Sequence, residues 1–210
     1  MMLAQDARNF HGWMYRRMVV GELERVEGES HARAEWEYTS AVLRAGGGLR
    51  NYSAWWRRGG LMREVVEGWQ EGADLLEDEL ELVKKGIVTD TGDQSLWLHY
   101  RGLVGENCRV GEGEGGMEWG MRWGLLREEI EWVRELEGGS PGCKEALVAL
   151  VAFVRLLRKV RRERDAEDDE LDDEIVDEGK EGRELKEWVE TLIRIDPMRK
   201  GRYEDLRELL

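Results

Sequence analysis

Six polar side chains recur at fixed offsets from three tryptophans. Trp13, Trp55 and Trp97 lie 42 residues apart. Two positions before them stand His11, Ser53 and Ser95; two positions after stand Tyr15, Arg57 and His99. An offset of two residues turns about 200° around a helix, so this row faces away from the tryptophans. A row of such donors can hold a ligand or a partner along one side of a helical array. It can equally be a solvated helix face. Free-standing catalysis has little support. The three histidines and two cysteines are too scattered for a zinc site. Nucleophile elbow, P-loop and H-E-x-x-H are all lacking. Gly111-Glu112-Gly113-Glu114-Gly115-Gly116 spells G-x-G-x-x-G, but it follows no strand and its glutamates would repel phosphate.

The elements that carry this row form a repeat. Asn9, Trp13 and Arg16 fall at i, i+4 and i+7; so do Asn51, Trp55 and Arg58, while Asp93, Trp97 and Arg101 end at i+8. That spacing puts each trio on one helix face. The tryptophan then packs between hairpins, and the Asn and Arg can bond unpaired backbone groups at helix ends. A second pattern, Glu35-Trp36-Glu37-Tyr38, Glu79-Leu80-Glu81-Leu82 and Glu129-Ile130-Glu131-Trp132, opens an amphipathic helix each time. Glu184-Leu185-Lys186-Glu187-Trp188 is a looser fourth copy. Each stretch ends in turn chemistry, such as Gly46-Gly47-Gly48; at Ser140-Pro141 the serine suits a cap and the proline the first helical position.

Self-similarity at this period marks a repeat architecture. The expected fold is therefore all-α, a right-handed solenoid of antiparallel helix hairpins forming one domain over residues 1–210. Hairpins are expected at about 32–66, 74–105, 124–161 and 183–210, preceded by a lone second helix at about 6–25. Starting mid-repeat leaves Trp13 needing a neighbour. Either a different partner covers that face or the chain is an N-terminally truncated product.

The net charge of −14 is largely local: Asp165 to Glu178 holds ten acids and no base. Flexible insertions are expected at about 105–123 and 163–182, because like charges repel and glycines loosen the chain. With no basic stripe, the composition argues against nucleic acid as a partner. No apolar run is long enough to cross a bilayer. The first motif follows Met1 closely, leaving no room for a signal peptide, and the cysteines suggest neither metal site nor disulfide framework. The expectation is a cytoplasmic protein with no metal and no cofactor of its own.

The wording of the repeats resembles the alpha subunits of protein prenyltransferases, whose hairpins carry Asn-x-x-x-Trp-x-x-Arg. Asp6-Ala7-Arg8-Asn9-Phe10-His11-Gly12-Trp13-Met14-Tyr15-Arg16-Arg17 is most similar to the type II, or Rab geranylgeranyltransferase, version D-x-R-N-F-H-x-W-x-Y-R-R. The other motifs follow in the family's order, down to Ile195-Asp196-Pro197 and Tyr203 near the end. The resemblance implies a crescent of hairpins around a beta subunit that holds zinc and geranylgeranyl diphosphate. The pair would transfer geranylgeranyl to C-terminal cysteines of Rab GTPases presented by an escort protein, with this chain inactive alone. Asn9, Phe10 and His11 would lie near the diphosphate, His11 donating a hydrogen bond to its oxygen. Tyr15, Ser53, Arg57, Ser95 and His99 would face the beta subunit. The family's catalytic-lysine repeat, P-K-x-Y-x-x-W-x-H-R, has no copy here; Arg8 holds the corresponding offset. Gly59 and Gly60 also depart from the family pattern, each costing about 1 kcal/mol inside a helix. The rival readings are the alpha subunit shared by farnesyltransferase and geranylgeranyltransferase type I, and a non-catalytic repeat scaffold. Phe10 and Tyr15-Arg16-Arg17 argue against the first.

Overall fold

The computed structural model describes residues 2–68, 72–107, 119–165 and 178–210. The described residues are helical apart from turns and short connections: α1 (Met2–Gln5), α2 (Phe10–Glu27), α3 (Ala32–Arg44), α4 (Tyr52–Gly68), α5 (Gly72–Thr89), α6 (Gln94–Asn107), α7 (Trp119–Gly139), α8 (Lys144–Asp165), α9 (Glu178–Ile195) and α10 (Lys200–Glu208). The expected hairpins are α3–α4, α5–α6, α7–α8 and α9–α10, and α2 is the lone second helix. The chain forms two compact units, Met1–Leu103 and Val104–Leu210.

In the first unit α3 packs on α4 and α4 on α5. Trp36 and Leu43 of α3, Trp55 and Leu61 of α4, Val83 and Ile87 of α5, and Leu96 and Trp97 of α6 make the core. Three glycines let the chain turn and close. Gly47 has φ 77°, a left-handed conformation that strains other residues, and a Cβ on Gly48 would collide with the Val42 carbonyl. On α5, a Cβ on Gly86 would lie 2.9 Å from Leu96, so glycine permits the close approach of α6.

In the second unit α8 lies against both α7 and α9, and α9 packs on α10. Leu126, Ile130 and Val133 of α7 and Leu185, Val189 and Leu192 of α9 are buried, with Leu147, Leu150, Phe153, Val154 and Leu157 of α8. The turn into α8 differs from the sequence expectation. Ser140 donates its N–H back to the Leu136 and Glu137 carbonyls, at 3.1 Å each, and so finishes α7. Gly142 (φ 83°) then reverses the chain, so α8 starts at Lys144, after Cys143 rather than after Ser140. The left-handed residue has to come before the new helix, which displaces the start by three residues.

The first helices share one register. Glu35, Glu79, Glu129 and Glu181 are all buried, and four residues on each is followed by a buried Thr39, Val83, Val133 or Leu185. The fourth copy is therefore set at Glu181, three residues before Glu184, because only that frame turns Leu185 and Val189 inward. Helix α6 extends to Asn107 and α7 starts at Trp119, while α8 reaches Asp165 and α9 starts at Glu178. The edges of both expected insertions are thus helical; their middles, with the G-x-G-x-x-G string and most of the acidic stretch, lie outside the described residues.

Candidate functional site

The motif residues build one device, repeated. Asn9 and Asn51 do not sit on the helix stripe with Trp. They precede the first turn, and their side-chain oxygens accept the N–H of Gly12 (2.8 Å) and Ala54 (3.1 Å). Asp93 does the same for Ser95 (2.9 Å). These are N-caps, satisfying backbone donors that a helix start leaves unpaired. Each tryptophan then donates its indole N–H to the carbonyl six residues back: Trp13 to Ala7 (2.8 Å), Trp55 to Leu49 (2.8 Å) and Trp97 to Thr91 (2.9 Å). The indole thereby buries its ring in the core without stranding its donor. Asn51 also links two repeats, its amide donating to the Ala7 carbonyl at 2.6 Å.

Buried glutamates fasten successive repeats together. Glu35 accepts from Arg16 Nε (2.8 Å), three residues past Trp13, and from Arg57 Nε (2.9 Å), two past Trp55. Glu79 accepts from Arg58 Nε (2.7 Å), three past Trp55, and from His99 Nε2 (2.8 Å), two past Trp97. Arg58 makes a second, bidentate contact with Glu79, and its Nη1 donates to the Trp36 carbonyl (3.2 Å) and the Ser40 hydroxyl (2.7 Å). Its guanidinium lies 3.7 Å above the Trp36 ring, and His99 packs 4.8 Å from Trp55. Burial pushes the Glu79 carboxyl up, but the bonds and charges of Arg58 and His99 outweigh it and hold the group below the usual carboxylate range.

The polar row expected from the sequence is consequently not one exposed face. His11 and Tyr15 are exposed, and so is Phe10, edge-on to His11 at 5.8 Å. Ser53 is half-buried. Arg57 is drawn in by Glu35, Ser95 gives its hydroxyl to its own cap Asp93, and His99 is buried on Glu79. The position two past Trp meets the first helix of the same hairpin, so that helix covers it. Arg101 is half-buried.

The outward row lies one residue past each tryptophan: Met14, Trp56 and Leu98 are all exposed. With Phe10 and Tyr52 at the helix starts, Met14 and Trp56 line a groove of about 220 Å³ between α2 and α4. Arg17 stands over Trp56 at 4.9 Å, and Ser53 and Arg57 lie at the groove's inner wall. Sequence reasoning passed over this row, although the signal was present: an apolar residue follows the Trp in every copy. The groove offers apolar contact with a flanking cation. Glu35, held by Arg16 and Arg57, also lines it, and among the described residues no cluster of His, Cys, Asp and Glu could hold a metal. None of the described helices is long and apolar enough to cross a membrane.

A helix-hairpin array with capped Asn-x-x-x-Trp helices and buried Glu–Arg links defines a class of repeat protein. Residues 76–106, the α5–α6 hairpin, match the family described as protein prenyltransferase alpha subunit repeat. That hairpin is thus of the prenyltransferase alpha subunit repeat kind. It is similar to the geranylgeranyl transferase type-2 subunit alpha of Schizosaccharomyces pombe, 30% identical over 99% of this chain and 59% of the relative. The subunits of the same description from Saccharomyces cerevisiae and Homo sapiens are 33% and 34% identical over 49% of this chain, covering 32% and 18% of their own lengths. The chain thus spans about three-fifths of the fission-yeast relative and less of the others.

Proposed function

We propose that this chain serves as the alpha subunit of a type 2 geranylgeranyltransferase, pairing with a beta subunit that holds the zinc and the lipid diphosphate. The complex would transfer geranylgeranyl to C-terminal cysteines of Rab GTPases brought by an escort protein. The observation that carries the reading is the likeness to the Schizosaccharomyces pombe type-2 alpha subunit along 99% of the chain. The exposed apolar row Phe10, Met14, Tyr52, Trp56 and Leu98 supplies a face on which a second subunit can pack. Phe10 and His11, on the first turn of α2, stand at one end of that face, where His11 can donate to a diphosphate oxygen held by the beta subunit. This chain contributes positioning and charge stabilisation; the thiolate chemistry belongs to the partner.

Co-expression with a type 2 beta subunit, followed by pull-down and a lipid-transfer assay with a Rab and its escort protein, tests this. The expected result is a stable heterodimer, weakened by Trp56→Asp, with transfer slowed by His11→Ala while the heterodimer persists. Failure to form any heterodimer would overturn the reading. A stable heterodimer without transfer would leave a scaffold.

A further inference from the structure

Trp56 is out of place in a repeat that spends its tryptophans on packing. Trp13, Trp36, Trp55 and Trp97 are buried, whereas Trp56 is 48% exposed, the one exposed tryptophan among the described residues. Helix α4 has α3 and α5 packed against it, and the indole still faces outward. Met14 of α2 holds the same place, one residue past its own tryptophan, and with Phe10 and Tyr52 the two side chains line the groove of about 220 Å³. Both walls are second helices of successive repeats. The groove falls below the roughly 300–1,000 Å³ of small-molecule sites. It takes a side chain rather than a whole lipid or nucleotide.

The charge of the groove runs against that of the chain. The chain carries a net charge of −14, but two arginines, Arg17 and Arg57, and one glutamate, Glu35, line the groove. Glu35 is already shared by Arg16 and Arg57. Arg17 is exposed, stands 4.9 Å from the Trp56 ring, and has no carboxylate partner among the described residues. We infer that this groove is an anchor point for the beta subunit. It receives one large apolar side chain, aromatic or leucine-like, from a surface helix or loop of that subunit, and an Asp or Glu within one helical turn of the anchor pairs with Arg17. This rests on the proposed pairing with a beta subunit and names what that subunit presents. The anchor enters between the Met14 thioether and the Trp56 indole, covering apolar surface that the fold leaves wet. Binding energy at protein interfaces concentrates on such Trp and Arg side chains beside a pocket. The acid on Arg17 fixes the direction of the anchor, and the indole beneath the guanidinium shields the pair from water. Leu98 of α6, exposed in the same place one repeat on, extends the contact beyond the groove.

The test uses the heterodimer of the full chain with a type 2 beta subunit, its dissociation followed on dilution. Trp56→Ala should weaken it at least about tenfold. Arg17→Glu should weaken it by a similar factor at low salt and by less at high salt, because like charge then faces the partner's acid. Both side chains are exposed, so the variants should keep the circular dichroism spectrum of the wild type; Arg17→Glu carries the test if Trp56→Ala loses helix. A photo-crosslinking p-benzoylphenylalanine in place of Met14 should capture the beta subunit. Mass spectrometry should map the link to a segment holding an aromatic or leucine-like residue with an acid within four residues. A heterodimer indifferent to either substitution, or a Met14 cross-link to the Rab or its escort protein instead, would overturn the inference and leave the alpha-subunit reading standing. No heterodimer at all would overturn both.

Discussion

The first unit, Met1–Leu103, fastens its hairpins through two buried glutamates; the second, Val104–Leu210, is built on the apolar helix α8, with the ion pairs Arg134–Glu184 and Arg158–Glu181 beside it. Between α2 and α6, Glu35 and Glu79 each bind two cationic or imidazole groups from neighbouring second helices. In α8 the positions of the capping Asn and the Trp are taken by Cys143 and Leu147, and two and three residues on stand Ala149 and Leu150 in place of Arg or His. Leu147, Ala149 and Leu150 and their neighbours Phe153 and Val154 are buried, and Cys143 is half-buried. The same hairpin can therefore be closed by a directional network or by non-directional packing. A buried ion pair contributes little net stability after its desolvation cost, but it tolerates only one register. An apolar stripe tolerates several and depends on volume.

Breaking the network should have the largest effect. Glu79→Ala leaves Arg58 buried without its partner and is expected to cost about 3–5 kcal/mol in urea unfolding. A loss under about 1 kcal/mol would show that the cluster is solvated. The comparison sharpens if the cluster is rebuilt in the style of the second unit: Arg58→Met with Glu79→Leu and His99→Leu should recover most of that loss. In the second unit, Leu150→Ala removes volume from a packed helix and should cost about 2–5 kcal/mol by the same assay, with no apolar replacement of a neighbour needed to explain it.

Acid tests the Glu79 cluster directly. The Glu79 carboxyl is held low in the folded protein, so the stability it contributes is present above the unfolded-state value of about 4.3 and is lost as pH falls through the folded value. Stability should fall more steeply with acid in the wild type than in Glu79→Gln; parallel acid limbs would contradict the assignment. A smaller effect follows from Asn51→Ala, which removes a cap and the link to Ala7, for about 1–2 kcal/mol seen as a lower Cm. Smallest is Gly60→Ala. A Cβ there meets nothing within 4 Å, so the helix should gain up to about 1 kcal/mol.

Much of this was legible in the chain itself. The 42-residue spacing of Trp13, Trp55 and Trp97, the recurring Glu-apolar-Glu-apolar openings and the glycine turns located the hairpins to within a few residues. They are local signals, set by helical periodicity and turn chemistry. The roles within the motif were less legible. Asn9, Asn51 and Asp93 read as stripe residues by spacing, yet they cap, because a helix start competes for their side-chain oxygens.

Sequence alone determined that the protein is an all-α array of hairpins and that Trp13, Trp55 and Trp97 anchor its repeats. Only the tertiary structure decided that Arg57 and His99 turn inward and that Met14, Trp56 and Leu98 point outward. The reason is geometric. Periodicity fixes the angle of a side chain about its own helix, but exposure depends on which neighbouring helix occupies that direction, and that neighbour comes from another part of the chain.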